Sequence, residues 1–227
     1  LNDLFPPEDS LDLLERKPNR GPTDLEIAVL KLPSISNFSD LDPLEAEPSL
    51  RLRWVHPGDS LGSPDAVLLP GSKQTLRDLE TLRSSGLDRQ LTAYATNGGS
   101  LLAICGGMQL LGQELHDPEQ LEGGDGAGPW PGLGLLPLTT EFGGTKALRQ
   151  REVQALWPGT TPISGFELHH GSTWASDDLQ PICNEPGLGW WCATPAGGCI
   201  AGTYLHGLLD NGPWRRHWLN QLRERKG

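Results

Sequence analysis

The sequence is poor in positive charge and has no long apolar segment. Its 227 residues carry 18 Lys and Arg against 29 Asp and Glu, which gives a net charge of −11. Binding to nucleic acid or to an anionic membrane surface requires clustered Lys and Arg, and the sequence has no such cluster. A membrane-spanning helix needs ~18 apolar residues or more, and the longest apolar run, glycines included, is only 101–108. We therefore expect neither nucleic acid nor a membrane as a partner.

Cysteine is also scarce, and its spacing argues against a metal site. The four cysteines form no CxxC pair, whereas a zinc site would need closer spacing or paired His ligands. They are Cys105, Cys183, Cys192 and Cys199. The segment LNDLFPPEDS at the start is acidic and proline-rich, unlike a secretory signal peptide. The sequence therefore predicts free thiols, no metal and a cytoplasmic location.

The spacing of short apolar runs predicts an α/β domain. Residues 1–24 mix charge and proline without periodicity, and we interpret them as a linker or tail. From about 25 to 115, strand-like runs alternate with helical spacing, as is typical of a parallel sheet with helices on its faces. Within that region, 34–48 is expected to form a polar loop. Further on, the pattern of residues 192–204 predicts a hairpin. The residues at 210–213 predict the start of a final helix.

The strongest chemical signal is LLAICGGMQLLG at 101–112, where a predicted strand runs into Cys105 and two glycines precede a helix. A nucleophile on such a sharp turn needs small neighbours, because the backbone is strained and must approach the substrate. The start of the helix favours a thiolate, and the Gly106 N–H could face a developing oxyanion. The alternative is that Cys105 is an inert cysteine in the core.

Three other positions strengthen the case for chemistry at Cys105. Gly71, in the turn that ends the preceding strand, could offer a second oxyanion donor. His206 ends a strand-like run before a glycine and could act as the base for the thiol. Gln109 follows the cysteine by four residues and could reach a substrate amide. Each has an ordinary alternative, namely a common turn, a structural histidine or an exposed helical glutamine.

Several blocks of the sequence together resemble class I, triad-type glutamine amidotransferase domains. The more specific similarity is to the C-terminal glutaminase half of the cobyric acid synthase family. The blocks lie in the expected order over about 180 residues of the chain. They are ISNFSDLDPLEAEP at 35–48, LLPGSKQTLRDLETLR at 68–83, AICGGMQLLG at 103–112, ISGFELHHGST at 163–173 and GTYLHGLLDN at 202–211.

The resemblance implies a fold and a reaction. Residues 25–227 would form a glutaminase domain with a flavodoxin-like, three-layer α/β sandwich and a mostly parallel central sheet. Cys105 would attack the carboxamide of glutamine, form a γ-glutamyl thioester and release ammonia, with His206 moving the proton. The N–H groups of Gly71 and Gly106 would form the oxyanion hole. Gln109 would match the position that binds glutamine.

Two positions depart from the family pattern. Ala103 stands where the turn usually has glycine, and we expect its small side chain to be tolerated. Leu208 stands where many members have the glutamate that orients the histidine, so the sequence leaves the orienting group open. Glu167 and His169 are candidates for that role or for binding glutamine. The alternative is that they only position a loop or a partner domain.

The resemblance also implies a second domain that the sequence does not contain. An enzyme of this family activates carboxylates with ATP and Mg²⁺, and no GxxxxGK[ST] phosphate loop is present. We therefore expect no cofactor for this chain, and interpret 1–24 as a linker or tail of a preceding synthetase domain that binds the corrinoid substrate. The loop 34–48 is expected to face that domain. Charge reversal of Asp40 and Asp42 should then impair ammonia transfer but spare glutamine hydrolysis.

Other functions remain open at this point. The chain could be the glutaminase partner of a ligase that amidates peptidoglycan (lipid II), although ISNFSDLDPL at 35–44 favours the corrinoid enzyme. It could be a catalytically silent module that binds a partner, with Leu208 marking lost chemistry. A cysteine peptidase on the same fold is less favoured, because Gln109 and the family blocks would have no role.

Overall fold

The structure is a computed structural model that describes residues 23–122, 128–144 and 146–227. Its helices are α1 (Asp42–Glu45), α2 (Thr75–Ser85), α3 (Leu87–Thr96), α4 (Gly106–Leu111) and α5 (Gly212–Lys226), with 3₁₀ turns at Phe38–Leu41 and Leu208–Asp210. Its strands are β1 (Leu25–Leu30), β2 (Ile35–Ser36), β3 (Leu50–Val55), β4 (Ala66–Leu69), β5 (Gly71–Ser72), β6 (Ser100–Ile104), β7 (Glu114–His116), β8 (Trp130–Pro131), β9 (Leu138–Glu141), β10 (Ala147–Ala155), β11 (Thr161–His169), β12 (Ser172–Ala175), β13 (Gln180–Pro181), β14 (Gly189–Ala193), β15 (Cys199–Thr203) and β16 (Leu205–His206).

A seven-stranded sheet with the order β13-β14-β15-β6-β4-β1-β3 forms the core. The five strands from β15 to β3 are parallel, and β14 and β13 add an antiparallel edge. Strands β4 and β6 are buried at every residue, which explains their continuous apolar runs. The predicted α/β fold with a mostly parallel sheet is confirmed.

The parallel sheet brings the two strongest candidate residues to one edge. Strand β6 leads into Cys105, and its neighbour β15 leads through Tyr204 into His206. Because the carboxyl ends of parallel strands meet at the same edge, two segments about a hundred residues apart in sequence converge there. A second sheet, in the order β10-β11-β16, covers this edge, since β11 pairs with β16 at His206.

Met108, Leu111 and Leu115 have a spacing that predicts a helix over 107–115, but helix α4 is shorter. It ends at Leu111, and Glu114–His116 instead forms β7, which pairs in parallel with β9. The change occurs at Gly112, where an added Cβ would lie 3.0 Å from the carbonyl oxygen of Leu138. A side chain at this position would require the neighbouring backbone of β9 to shift by a few tenths of an ångström.

The segment 34–48 is not the irregular polar loop that its sequence predicted. It forms β2, a 3₁₀ turn and α1, and strand β2 pairs with β5 beside the cysteine turn. Asp40 within it is only 5% exposed.

Residues 1–24, which we interpreted as a linker or tail, lie almost wholly outside the described part of the chain. Among the residues described, no helix is both long and apolar enough to cross a membrane.

The close backbone packing beneath the cysteine turn predicts that a side chain at Gly107 destabilises the fold. A Cβ there would lie 2.4 Å from the carbonyl oxygen of Leu69, which cannot move without shifting β4. Gly107→Ala should therefore lower the free energy of unfolding in urea by roughly 1–3 kcal/mol. Gly212→Ala is the matched control, because the nearest atom to its Cβ is a flexible Arg216 nitrogen at 3.4 Å. Equal losses in both variants would contradict this account.

Candidate active site

Cys105 sits on a strained turn between β6 and α4. Its φ of 51° and ψ of −114° are unusual for a residue with a side chain, and such strain costs on the order of 1–3 kcal/mol. The turn is held by two backbone hydrogen bonds, from Cys105 N–H to the Thr203 carbonyl at 2.7 Å and from Gln109 N–H to the Cys105 carbonyl at 3.1 Å. Strain maintained in this way is typical of a nucleophile presented to a substrate.

The Cys105 thiol lines a cavity of about 200 Å³. The side chain is 7% exposed, and Sγ donates to the Leu168 carbonyl at 3.3 Å. The residues around the cavity come from β2, β5, α4, the end of β11 and the turns beside these elements, together with Glu122 and Lys146; they are Ser36, Asn37, Ser72, Lys73, Cys105, Gln109, Glu122, Lys146, Leu168, His169 and His170. Its size and polar lining suit a small polar molecule.

The other three cysteines are poor nucleophiles. Burial raises the pKa of the Cys183 and Cys192 thiols and raises that of Cys199 to about 12. None of them is among the residues around the cavity. Within the described part of the chain, Cys105 is thus the cysteine presented to a ligand.

His206 is fully buried and is held by a carboxylate. Its Nδ1 lies 2.7 Å from Oδ2 of Asp40, whose Oδ1 accepts the Gly207 N–H at 2.8 Å. A carboxylate only accepts hydrogen bonds, so Nδ1 carries a proton and Nε2 is left to face the site. The Asn37 side-chain amide lies 3.3 Å from Nε2, and the Phe166 ring stacks on the imidazole at 5.1 Å between centroids.

The same neighbours set the charge of His206. Burial lowers its pKa, but the Asp40 carboxylate and the hydrogen bonds to Asp40 and Cys105 outweigh burial and raise the pKa to about 10. The protonated ring is therefore the stable form near neutral pH. An imidazolium on His206 stabilises negative charge that develops on the neighbouring sulfur during a reaction.

Asp40 is the functional residue that sequence reasoning missed. It lies 166 residues before His206, and its segment was expected to face a partner domain. That expectation is wrong for Asp40, because its carboxylate is buried against the histidine. Leu208, at the position where a glutamate was sought, is a fully buried core residue. The local sequence SNFSDL at 36–41 gives no signal for a buried carboxylate, because its residues are mostly polar.

Gln109 lines the cavity with its amide fixed. Its Nε2 donates to the Tyr204 hydroxyl at 3.0 Å and to the His170 carbonyl at 3.4 Å. Its Oε1 accepts from the Thr75 hydroxyl at 3.4 Å. Since the His170 carbonyl can only accept, the amide orientation is determined, and Oε1 keeps a lone pair for a ligand.

Glu167 and His169 form a second carboxylate–histidine pair beside the cavity. His169 Nε2 lies 2.9 Å from Oε1 of Glu167, and Arg151 Nη2 donates to Oε2 at 2.6 Å. His169 lines the cavity, whereas the oxygens of Glu167 are both engaged in these contacts. The hydrogen-bond partner of His206 Nδ1 is Asp40, so the structure does not give Glu167 or His169 the orienting role.

Of the two predicted oxyanion donors, Gly106 follows Cys105 directly and Gly71 lies beside His206. Gly106 is the first residue of α4, where a backbone N–H has no partner within the helix. A Cβ on Gly106 would lie 2.8 Å from the Ser72 nitrogen, so β5 packs directly against this turn. A Cβ on Gly71 would lie 3.5 Å from Cε1 of His206, which places Gly71 beside the histidine.

Comparison with solved structures defines the class of fold. A crystal structure of a glutamine amidotransferase superposes with a TM-score of 0.63 at 15% identity, covering 87% of this chain and 98% of that chain. The PurLQS structure from Thermotoga maritima gives a TM-score of 0.62 at 14% identity, covering 89% and 99%. The fold is that of class I glutamine amidotransferases.

Sequence comparison identifies the family. The model of the CobB/CobQ-like glutamine amidotransferase domain matches residues 26–214. A cobyric acid synthase of Synechococcus sp. strain CC9605 is 69% identical over 227 residues, covering 100% of this chain and 46% of that protein. One from Prochlorococcus marinus strain MIT 9313 is 54% identical over 234 residues, covering 100% and 47%. The chain therefore belongs to the CobB/CobQ-like glutamine amidotransferase domain family, and spans about half the length of these relatives.

Removing the charge of Asp40 should disable His206. Asp40→Asn keeps the size of the side chain but removes the carboxylate that fixes the tautomer and stabilises the imidazolium. We expect glutamine hydrolysis to fall by about 10²- to 10⁴-fold in kcat/KM. Asp42→Asn is the control, because Asp42 is exposed and only two residues away. Similar activities of the two variants would show that Asp40 does not act through His206.

The same variant should change the pH dependence. In the wild type the pKa of His206 is raised to about 10, so the imidazolium persists well above neutral pH. Without the Asp40 charge the pKa falls, and the ring loses its proton at lower pH. The alkaline limb of kcat/KM, measured across pH 6 to 10, should therefore move to lower pH in Asp40→Asn. An unchanged limb would mean that another group controls it.

Proposed function

We propose that this domain hydrolyses glutamine through a thioester on Cys105. The observation that carries the proposal is that the strained Cys105 lies at a small polar cavity and is hydrogen-bonded to His206. The buried carboxylate of Asp40 holds the ring of His206 from the other side. A cysteine nucleophile needs a base that accepts its proton and an acid that returns it, and this pair supplies both from one ring. Membership of the family supports glutamine as the substrate.

The proposed steps balance without any cofactor. The Cys105 thiolate attacks the carboxamide carbon, and the N–H groups of Gly106 and Gly71 are proposed to bind the resulting oxyanion. The imidazolium of His206 protonates the departing nitrogen, the C–N bond breaks, and ammonia leaves a γ-glutamyl thioester. His206 then takes a proton from water, which attacks the thioester. The C–S bond breaks, and glutamate and the thiolate are released.

The cavity suggests how glutamine is oriented. We infer that Gln109 Oε1 and His169 contact the substrate, since both residues line the cavity. Glu167 is proposed to act indirectly, because its carboxylate holds His169 on one side and Arg151 on the other. Such a pair fixes the orientation of an imidazole before the substrate arrives.

For the whole protein we propose supply of ammonia to the amidation of corrinoid carboxylates in cobalamin biosynthesis. The support is that relatives of about twice this length are cobyric acid synthases. A preceding synthetase domain would bind ATP, Mg²⁺ and the corrinoid in the cytoplasm. These relatives favour the corrinoid reaction over amidation of peptidoglycan. The contact of Asp40 with His206 favours a working enzyme over a silent module.

Hydrolysis and selective labelling test the proposal. The protein is incubated with glutamine, with and without MgATP and a corrinoid carboxylate, and glutamate is measured. We expect glutamate from the wild type and from Cys192→Ala, and a loss of at least 10³-fold in Cys105→Ala. A glutamine-like electrophile should label Cys105 before Cys183, Cys192 and Cys199, because burial raises the pKa of those three. No glutamate under either condition, or prior labelling elsewhere, would overturn the proposal.

A further inference from the structure

Asp78 is a fully buried acid to which the proposed chemistry gives no role. It lies in the first turn of α2 and is not one of the residues around the cavity. Its Oδ1 accepts the Ser34 N–H at 3.1 Å, and its Oδ2 accepts the Ser72 hydroxyl at 2.6 Å. Ser34 directly precedes β2 and Ser72 ends β5. One carboxylate therefore joins both of these strands to α2.

The hydrogen bonds at Asp78 have defined directions. A backbone N–H can only donate, which settles the bond from Ser34. The Ser72 oxygen already accepts the Gln74 N–H at 3.1 Å, which leaves its proton for Asp78. Burial raises the pKa of Asp78, and the hydrogen bonds from Ser72 and Ser34 lower it. An acid taken out of water is tolerated only with such partners, so the contacts that keep Asp78 buried are those to the two strands.

The two strands that Asp78 joins form a very short sheet. Strands β2 and β5 pair at two residues each, and a bond from the Lys73 N–H to the Ser34 carbonyl, at 2.8 Å, extends the ladder by one. A two-stranded sheet is marginally stable by itself. The carboxylate of Asp78 supplies a further attachment, which ties the end of this ladder to a helix of the main fold.

Each of these strands carries a part of the site. Strand β5 packs against the cysteine turn, since a Cβ on Gly106 would lie 2.8 Å from the Ser72 nitrogen. Strand β2 runs into Asn37, where a φ of 51° turns the chain into the 3₁₀ segment that contains Asp40. Asp40 in turn holds the ring of His206. The alignment of β2 with β5 thus sets where the carboxylate–histidine pair lies relative to the thiol.

We propose that Asp78 is a positioning residue that locks β2 to β5 and thereby fixes Asp40 and His206 relative to the Cys105 thiol. The inference rests on the proposed glutaminase function and adds to it a residue that lies outside the cavity. Reaction rates depend steeply on such geometry, because a displacement of about 1 Å costs roughly 10²-fold. Loss of the lock therefore lowers kcat, which needs the aligned pair, more than it changes KM.

Two variants of different severity test the inference in the whole protein. Asp78→Ala removes both acceptors. Asp78→Asn keeps one oxygen for the Ser34 N–H, and its amide N–H can donate to the Ser72 oxygen instead. We expect Asp78→Ala to lower kcat for glutamine hydrolysis about 10- to 100-fold, with KM within about threefold of wild type. Asp78→Asn should recover part of this loss, because it keeps a link to both strands.

The pH profile separates positioning from a general loss of structure. The charged groups that set the pKa of His206 are Asp40 and Cys105, so Asp78 affects this pKa through the position of Asp40. When Asp40 moves away, the pKa of His206 falls and the ring loses its proton at lower pH. The alkaline limb of kcat/KM should therefore move to lower pH in Asp78→Ala, and by a smaller amount in Asp78→Asn.

Leu222→Ala is the matched control, because Leu222 is a buried residue of α5 outside the site. It should lower the free energy of unfolding in urea and leave the alkaline limb in place. A wild-type kcat and alkaline limb in the Asp78 variants would overturn the inference. So would a loss of rate with the limb unchanged, or a loss through KM alone. If Asp78→Ala does not fold, Asp78→Asn decides by the same criteria.

These outcomes leave the proposed function standing, since the wild type still hydrolyses glutamine in each of them. A wild type that does not hydrolyse glutamine would overturn both proposals.

Discussion

The hydrogen bond between Asp40 and His206 is the interaction on which the site depends. Both groups are buried, and a buried charge is tolerated only when it is paired and hydrogen-bonded. The second oxygen of Asp40 holds the Gly207 backbone, so the carboxylate fixes both the ring and the turn behind it. It therefore links a segment near the start of the described chain to the end of β16. Without this link, the imidazole would have neither a fixed tautomer nor a stable charge.

The parallel sheet supplies the second constraint. It delivers Cys105 and His206 from neighbouring strands, and the close packing of Gly106 and Gly107 against β5 and β4 holds the cysteine turn in its strained conformation. The second sheet then closes the site by placing Leu168 over the thiol. Strands β2, β5 and β11 and helix α4 hold part of the cavity wall in a fixed geometry, and loop residues complete it.

The sequence predicted those residues of the site that stand in strong local strand or helix patterns. Cys105, Gln109 and His206 stand at the ends of strong strand or helix patterns, and the structure brings all three to one region. Asp40 was assigned to a polar loop facing a partner domain, because its histidine partner is 166 residues away and the local pattern does not reveal it. Long-range pairing of polar groups has no periodic signature in a single sequence.

The most direct test of the account is to trap the intermediate. The protein is mixed with radiolabelled glutamine, quenched in acid within one turnover, and digested for mass spectrometry. The account predicts a γ-glutamyl adduct on Cys105 that is absent in Cys105→Ala and is released by hydroxylamine, as expected of a thioester. Glutamate formed at the wild-type rate by Cys105→Ala, or an adduct on another residue, would contradict it.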